Sequence, residues 1–212
     1  MGARALVVRA GAYFHDVGKM LKPKYFTENQ TTPEERGIHR KLSPNMSTLI
    51  IRNHVRDGAA LARNHRLPDL VVDIVRQHHG SGLIQYFHNE ALKRADDPDL
   101  VLEEDFRYPG PKPQTVEAGI VMLADVVDAT STARFGGAGT VDEADIRRLV
   151  NDAVADKFHD GQLDECDLTL ADLQKIRESL AKGLLVRYHT RIDYQPAAPR
   201  TREKPAAEPA AV

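Results

Sequence analysis

His15-Asp16 sets an imidazole beside a carboxylate, with Gly18-Lys19 directly downstream, in the stretch Tyr13-Phe14-His15-Asp16-Val17-Gly18-Lys19-Met20. Such a pair can bind one divalent cation, or each member can hold one of two neighbouring cations. Lys19 follows closely enough to meet an anionic ligand. The ordinary alternative is a surface pair near a helix end. Further ligands elsewhere in the chain decide between the two.

Three stretches offer them. Asn53-His54 is expected at a break between helical segments, where its side chain can enter a cleft. Gln77-His78-His79-Gly80 puts two histidines before a glycine. Neighbours on a helix diverge by about 100°, so both rings reach one centre only if the backbone turns there, and glycine permits the turn. Asp125 lies inside an apolar run, where an unpaired carboxylate is costly to bury and a cation would remove that cost. Taken singly, each has a plain reading: His54 as a capping or surface residue, His78-His79 as a favourable helix C-terminus, Asp125 as an arginine partner. Together they form a histidine and aspartate set without thiols, suited to iron, manganese or zinc and unlike a structural zinc finger.

The elements that must position these groups read as helices. Apolar residues Leu6, Val7, Ala10, Phe14 and Val17 recur at helical spacing, predicting a helix from Ala3 to about Met20 that carries His15 and Asp16 in its last turns. Pro23 to Pro44 is polar and turn-rich. Ser43-Pro44 reads as a cap and first position of the next helix, which Asn53 to Gly58 is expected to interrupt. Pro68 opens a helix from Asp69 to His79 with Leu70, Val71, Ile74 and Val75 as its stripe, stopped by Gly80-Ser81-Gly82. Leu83 to Ala95 is amphipathic, and Asp96 to Pro113 is a loop stiffened by its prolines. Thr115 to about Phe135 is the most apolar helix, with Val116, Ile120, Leu123 and Val127 on one face, and Gly136, Gly137 and Gly139 end it. A helix over Asp142 to Phe158, an acidic loop from Asp160 to Asp167, and a last helix capped by Thr169 and running to about Tyr188 complete the pattern. No segment alternates with period two, so no sheet is expected. The expectation is an all-α single domain over 1–194, with a disordered Pro/Ala-rich tail over 195–212.

Composition narrows the classes. With 212 residues and 42% apolar content the chain can bury a globular core. A net charge of -2 gives no basic excess for a nucleic-acid polymer. The lone Cys166 excludes an internal disulfide framework and points to a reducing compartment. No apolar run approaches the length of a membrane span, and the N-terminus lacks the long apolar region of a signal peptide.

The ligand pattern resembles the HD superfamily of metal-dependent phosphohydrolases. Its blocks Tyr25-Phe26-Thr27-Glu28-Asn29-Gln30, Ser43-Pro44-Asn45, Gln77-His78-His79-Gly80, Arg107 to Gln114 and Asp160 to Thr169 are similar to the cytoplasmic HD domain of seven-transmembrane, PgpH-type cyclic di-AMP phosphodiesterases. The resemblance spans roughly Ala3 to Tyr194. It implies an enzyme that opens a cyclic dinucleotide to its linear form through a metal-activated hydroxide. It also implies two divalent ions, iron or manganese foremost, with zinc, magnesium or nickel as other choices. Asp16 would bridge the two metals. His15 and Asp125 would hold the first metal; His54, His78 and His79 the second. Lys19 would neutralise a phosphate oxygen, and Tyr25, Phe26 and Gln30 are candidates for substrate contact. His39, His65, His88, His159 and His189 match no ligand position.

In that family the first metal takes a further histidine from an upstream helix, and a membrane-anchored portion accompanies the domain. This chain is therefore expected to be N-terminally truncated relative to the family, and a cytoplasmic setting at the inner membrane is implied for a full-length form. Two alternatives follow: a catalytically impaired module that binds metal and nucleotide without turnover, and a metal-free helical interaction domain.

Overall fold

Ser43 and Pro44 start the longest helix as their types require, the serine hydroxyl accepting the Met46 amide at 3.2 Å and the proline lacking a donor to waste. Thr115, Asp142 and Thr169 cap three further helices in the same way, accepting from Ala118, Ala144 and Asp172. The computed structural model describes residues 2–136 and 141–189. The helices are α1 (Ala5–Phe14), α2 (Pro44–Asn64), α3 (Asp69–Gln77), α4 (Gln85–Arg94), α5 (Val116–Phe135), α6 (Glu143–His159) and α7 (Leu170–His189), joined by short 3-10 turns. Among the described residues the one extended pairing is an isolated antiparallel bridge between Leu83 and Arg107. The expected all-α class is the observed one. No described helix is long and apolar enough to cross a membrane. The expected tail at 195–212, and Gly137 and Gly139, lie outside the described residues.

α5 is the central element. One side packs on α6 and α7 through Met122, Leu123 and Val127 against Ile146, Leu149, Val150, Val154 and Ile176. Its other side meets α1 and α3 through Ala118 and Val121 against Ile74, Val7 and Val8. A smaller cluster, Ala59, Ala62, Val72 and Val75, joins α2 to α3. Phe87, Ala91 and Phe106 form a fourth cluster under α4. Asp125 is on α5 between the two packed sides, its side chain 22% accessible.

Three expectations are corrected. α1 ends at Phe14 rather than near Met20, and a 3-10 turn over Val17–Leu21 follows, so His15-Asp16 sit at a break in the backbone. The cause is packing: the main chain must turn there to lay Gly18 against Gly58, whose approach leaves no room for a side chain at Gly18. α2 is unbroken from Pro44 to Asn64, and Gly58 serves that contact inside the helix rather than interrupting it. The Pro23 to Pro44 stretch is turn-rich as expected, with 3-10 turns at Pro23–Tyr25, Thr27–Asn29 and Glu35–Lys41. On α3 the buried stripe includes Val72, 1% exposed, while Leu70 is 39% exposed.

Candidate metal centre

Three histidines reach the centre by one device. The Nδ1 atoms of His15, His54 and His78 each bond the carbonyl three residues earlier: Ala12 at 2.9 Å, Ile51 at 2.5 Å and Val75 at 2.8 Å. A neutral imidazole carries one N–H, and these bonds place it on Nδ1, leaving Nε2 with a free lone pair. The three Nε2 atoms converge on Asp16. His15 lies 3.2 Å from Asp16 Oδ2, while His54 and His78 lie 3.3 and 3.7 Å from Oδ1.

His79 joins because the chain turns. α3 ends at Gln77, and Gly80 takes φ +53, a region open to glycine at little cost. The turn is held by the Gly80 amide on the Gln77 carbonyl at 2.9 Å and the Gly82 amide on the His79 carbonyl at 3.0 Å. The two adjacent rings then face the same centre, centroids 4.0 Å apart. His79 Nδ1 lies 3.7 Å from Asp125 Oδ2, and Asp125 Oδ1 lies 3.5 Å from His15 Nε2.

The donor atoms fall into two groups that share Asp16. One comprises Asp16, His54, His78 and His79; the other His15, Asp16 and Asp125. Within each group the atoms lie within 4.8 Å of one another. The groups suit a divalent cation on local grounds. His15 Nε2 and Asp16 Oδ1 are buried with no hydrogen-bond partner. The Nε2 atoms of His54 and His78 face each other at 3.2 Å with both N–H groups committed elsewhere, a contact that only a positive charge between or beside them makes favourable.

Electrostatics agrees. Burial opposes charge on His15, but the adjoining carboxylates of Asp125 and Asp16 raise its pKa to about 10, so they draw positive charge to Nε2, which a proton or a bound cation can supply, the ring being neutral in the second case. Burial would likewise raise Asp16, yet His15, His54 and Lys19 hold it well below the usual carboxylate range. His78 is lowered to about 4 by burial and by its neighbours His54 and His15; His79 is pushed far down by burial and by His78. Both remain neutral, the form that ligates.

Lys19 stands at the centre with its ammonium already engaged, 2.7 Å from Asp16 Oδ2 and 2.6 Å from Glu28 Oε1. The centre opens on a cavity of about 860 Å³ lined by His15, Asp16, Lys19, Thr27, Glu28 and Asp125 among others. That size is within the range of small-molecule sites. Tyr25, Phe26 and Gln30 do not line it. Phe26 is buried edge-on to His54, centroids 5.5 Å apart, with the Lys19 ammonium over its ring. Tyr25 packs on His39, and the Gln30 amide donates to the Lys24 carbonyl. Phe26 thus supports a ligand ring rather than facing an open cavity. His39, His65, His88 and His159 belong to neither ligand group, while the side chain of His189 lies outside the described residues.

Sequence reasoning placed the residues that secure the His78-His79 turn in family-like blocks but gave them no role. Gln162 is fully buried, and its Oε1 accepts the Ser81 amide at 2.9 Å. Arg107 donates to the Ser81 carbonyl at 2.8 Å and pairs with Asp160 at 2.8 Å. Tyr108 stacks on His79, centroids 4.3 Å apart and planes 22° from parallel. The Gln77 side chain accepts the Gln114 amide at 3.0 Å, tying the proline-rich loop to the end of α3. No local signal announced these ties, because they link segments 26 to 81 residues apart.

Comparison with known proteins gives a consistent picture. The family model for the HD domain matches residues 1–130. A cyclic-di-AMP phosphodiesterase PgpH of Bacillus subtilis (strain 168) is 41% identical over 202 residues, covering 95% of this chain and 27% of the relative. The PgpH of Listeria monocytogenes serotype 1/2a is 41% identical over 196 residues, covering 92% of this chain and 26% of its own length. The chain thus spans about a quarter of these relatives. A crystal structure of the L. monocytogenes PgpH HD domain in complex with cyclic-di-AMP superimposes with a TM-score of 0.79 at 39% identity, covering 91% of this chain and 85% of that one.

Proposed function

The chain belongs to the HD domain family, and from that premise we propose that it is a metal-dependent phosphodiesterase that hydrolyses a cyclic dinucleotide, cyclic di-AMP, to the linear form. The observation that carries this reading is the arrangement of Asp16, whose two carboxylate oxygens face two different ligand groups beside an 860 Å³ cavity. Asp16, His54, His78 and His79 would hold one divalent ion, and His15, Asp16 and Asp125 another, iron or manganese suiting this nitrogen and oxygen set. When bound, such ions supply Lewis-acid polarisation of a phosphoryl group and a lowered pKa for water.

The chain's own residues account for the rest. The carbonyl bonds on Nδ1 fix the ring orientation of His15, His54 and His78, so the donor atoms are set before any ligand arrives. Lys19 places a cation at the cavity wall, where it can take a phosphoryl oxygen if Glu28 yields its contact. Phe26, behind His54, keeps water from that side of the ring. Two bases separated by two phosphodiesters need a cavity of this scale, whereas a single phosphate does not.

The test is incubation of the chain with Mn²⁺ and cyclic di-AMP, with chromatography of the products. Appearance of the linear dinucleotide supports the proposal. Tight binding without product would instead favour a metal- and nucleotide-binding module, and neither binding nor product would remove both.

A further inference from the structure

A second cavity of about 200 Å³ adjoins the centre, lined by His78, His79, Tyr108, Asp125 and Lys157 among others, and shares Asp125 and Ala129 with the larger one. It is below the size that holds a whole small-molecule ligand. It has room for a compact group, not for a nucleoside.

Its polar equipment is unusual. Lys157, in the last turn of α6, packs its ammonium against Gly82, where a Cβ would come within 3.0 Å of Nζ. Of the acids around it, Asp160 is taken by Arg107 and Gln162, and neither Asp156, the preceding residue, nor Asp125 forms an ion pair with it. The Lys157 carbonyl accepts the Gln162 amide, but its ammonium has no ion pair or hydrogen bond among the described residues, in contrast to Lys19 with its two carboxylates. Burial pushes its pKa down, against the attraction of Asp160, Asp125 and Asp156. The Tyr108 hydroxyl also has no hydrogen-bond partner among the described residues. A phenol is protonated at neutral pH and can donate a hydrogen bond into the cavity that Tyr108 lines. Two donors without a protein partner among the described residues therefore line one small cavity at the edge of the ligand cluster, an arrangement that suits an anionic oxygen.

We propose that Lys157 and the Tyr108 hydroxyl form an anion subsite for the second, non-reacting phosphodiester of the cyclic dinucleotide. The assignment rests on the function proposed above. A cyclic dinucleotide carries two phosphodiesters in one ring, so a substrate with one phosphate at the Asp16 centre holds the other within the width of that ring. Asp125, bordering both cavities, marks how closely the two positions adjoin. The subsite would select for a cyclic dinucleotide over a molecule with a single phosphodiester.

The experiment compares the full chain with Lys157→Met, Lys157→Arg and Tyr108→Phe, all loaded with Mn²⁺. Calorimetry gives the Kd for cyclic di-AMP. Kinetics gives the ratio of kcat/KM for cyclic di-AMP to that for bis(4-nitrophenyl) phosphate, which has one phosphodiester. Loss of one charge-assisted contact predicts a rise in Kd and a fall in that ratio of about tenfold or more for Lys157→Met. A smaller change is expected for Tyr108→Phe, and partial recovery for Lys157→Arg. An unchanged Kd in Lys157→Met, or equal losses on both substrates, overturns the subsite while leaving the proposed function standing. A wild-type chain that cleaves the single diester but neither binds nor cleaves cyclic di-AMP overturns the proposed function and the subsite with it.

Discussion

Gly18 lies against the main chain of Gly58 so closely that a Cβ on Gly18 would stand 2.5 Å from the Gly58 nitrogen. The contact fixes where the His15-Asp16 turn meets α2, and therefore where Asp16 meets His54. Gly18→Ala is expected to destabilise the fold by about 3 kcal/mol, at the upper end for overpacking, because the obstacle is backbone and cannot swing away. Urea denaturation of the variant measures it; a midpoint equal to wild type would mean that the two segments are free to separate.

Asp16 serves both ligand groups. Asp16→Ala is expected to reduce bound metal at both and to bring turnover of cyclic di-AMP to background. Elemental analysis alongside the product assay checks this. Wild-type metal content with near-full turnover would show the shared carboxylate to be misassigned.

The donors are oriented before a cation arrives, so metal binds the folded chain and not the unfolded one. Mn²⁺ is expected to stabilise the protein, by about 2.7 kcal/mol when free metal stands at 100 times its Kd, and chelation should reverse the effect. Thermal scans with Mn²⁺, Fe²⁺ and Zn²⁺ provide the measurement. Melting temperatures indifferent to all three would rule out a preformed site.

Gln162→Leu keeps the side chain's approximate volume but strands the Ser81 amide. The expected cost is about 1–3 kcal/mol, the range for a buried donor left unpaired. Metal affinity should fall as well, since Ser81 follows the His78-His79-Gly80 turn. Isothermal titration with Mn²⁺ separates the two effects; a loss of stability with no change in affinity would show that the turn holds without this tie.

Glu117 contributes a pH-dependent term. Its hydrogen bond from Arg4 holds its pKa at about 2, below the value of about 4.3 in an unfolded chain. The stabilisation is fully present above the unfolded value and disappears as pH falls from about 4.3 through about 2. The Arg4 side chain is 53% exposed, which keeps the effect small. Stability curves for wild type and Glu117→Gln should converge across that window, and parallel curves would contradict the pairing.

Residue types made the centre legible in the sequence. His15, Asp16, His54, His78, His79 and Asp125 stood out because imidazoles and a carboxylate inside apolar helices need a reason, and the glycine after His79 foretold the turn that brings two adjacent rings together. Helical periodicity made the layers legible too. Close backbone contact did not show: Gly58 read as an interruption of α2, whereas it is the surface on which Gly18 rests, and this same contact breaks α1 before His15. Phe26 read as a substrate contact because it is near Lys19 in sequence, but burial turns its ring onto His54. Lys157 carried no signal, and Tyr108 stood in a family-like block without a role, since their meeting depends on α6 returning to the end of α3.

The Gln162 tie bears on how small a working piece of this protein can be. The HD match closes at residue 130, and every proposed ligand precedes that point. Yet the Ser81 turn is fastened by Asp160 through Arg107, and by Gln162 directly. A gene fragment ending at residue 130 would encode all six donors and omit the anchor for two of them, so the motif is shorter than the scaffold that makes it competent.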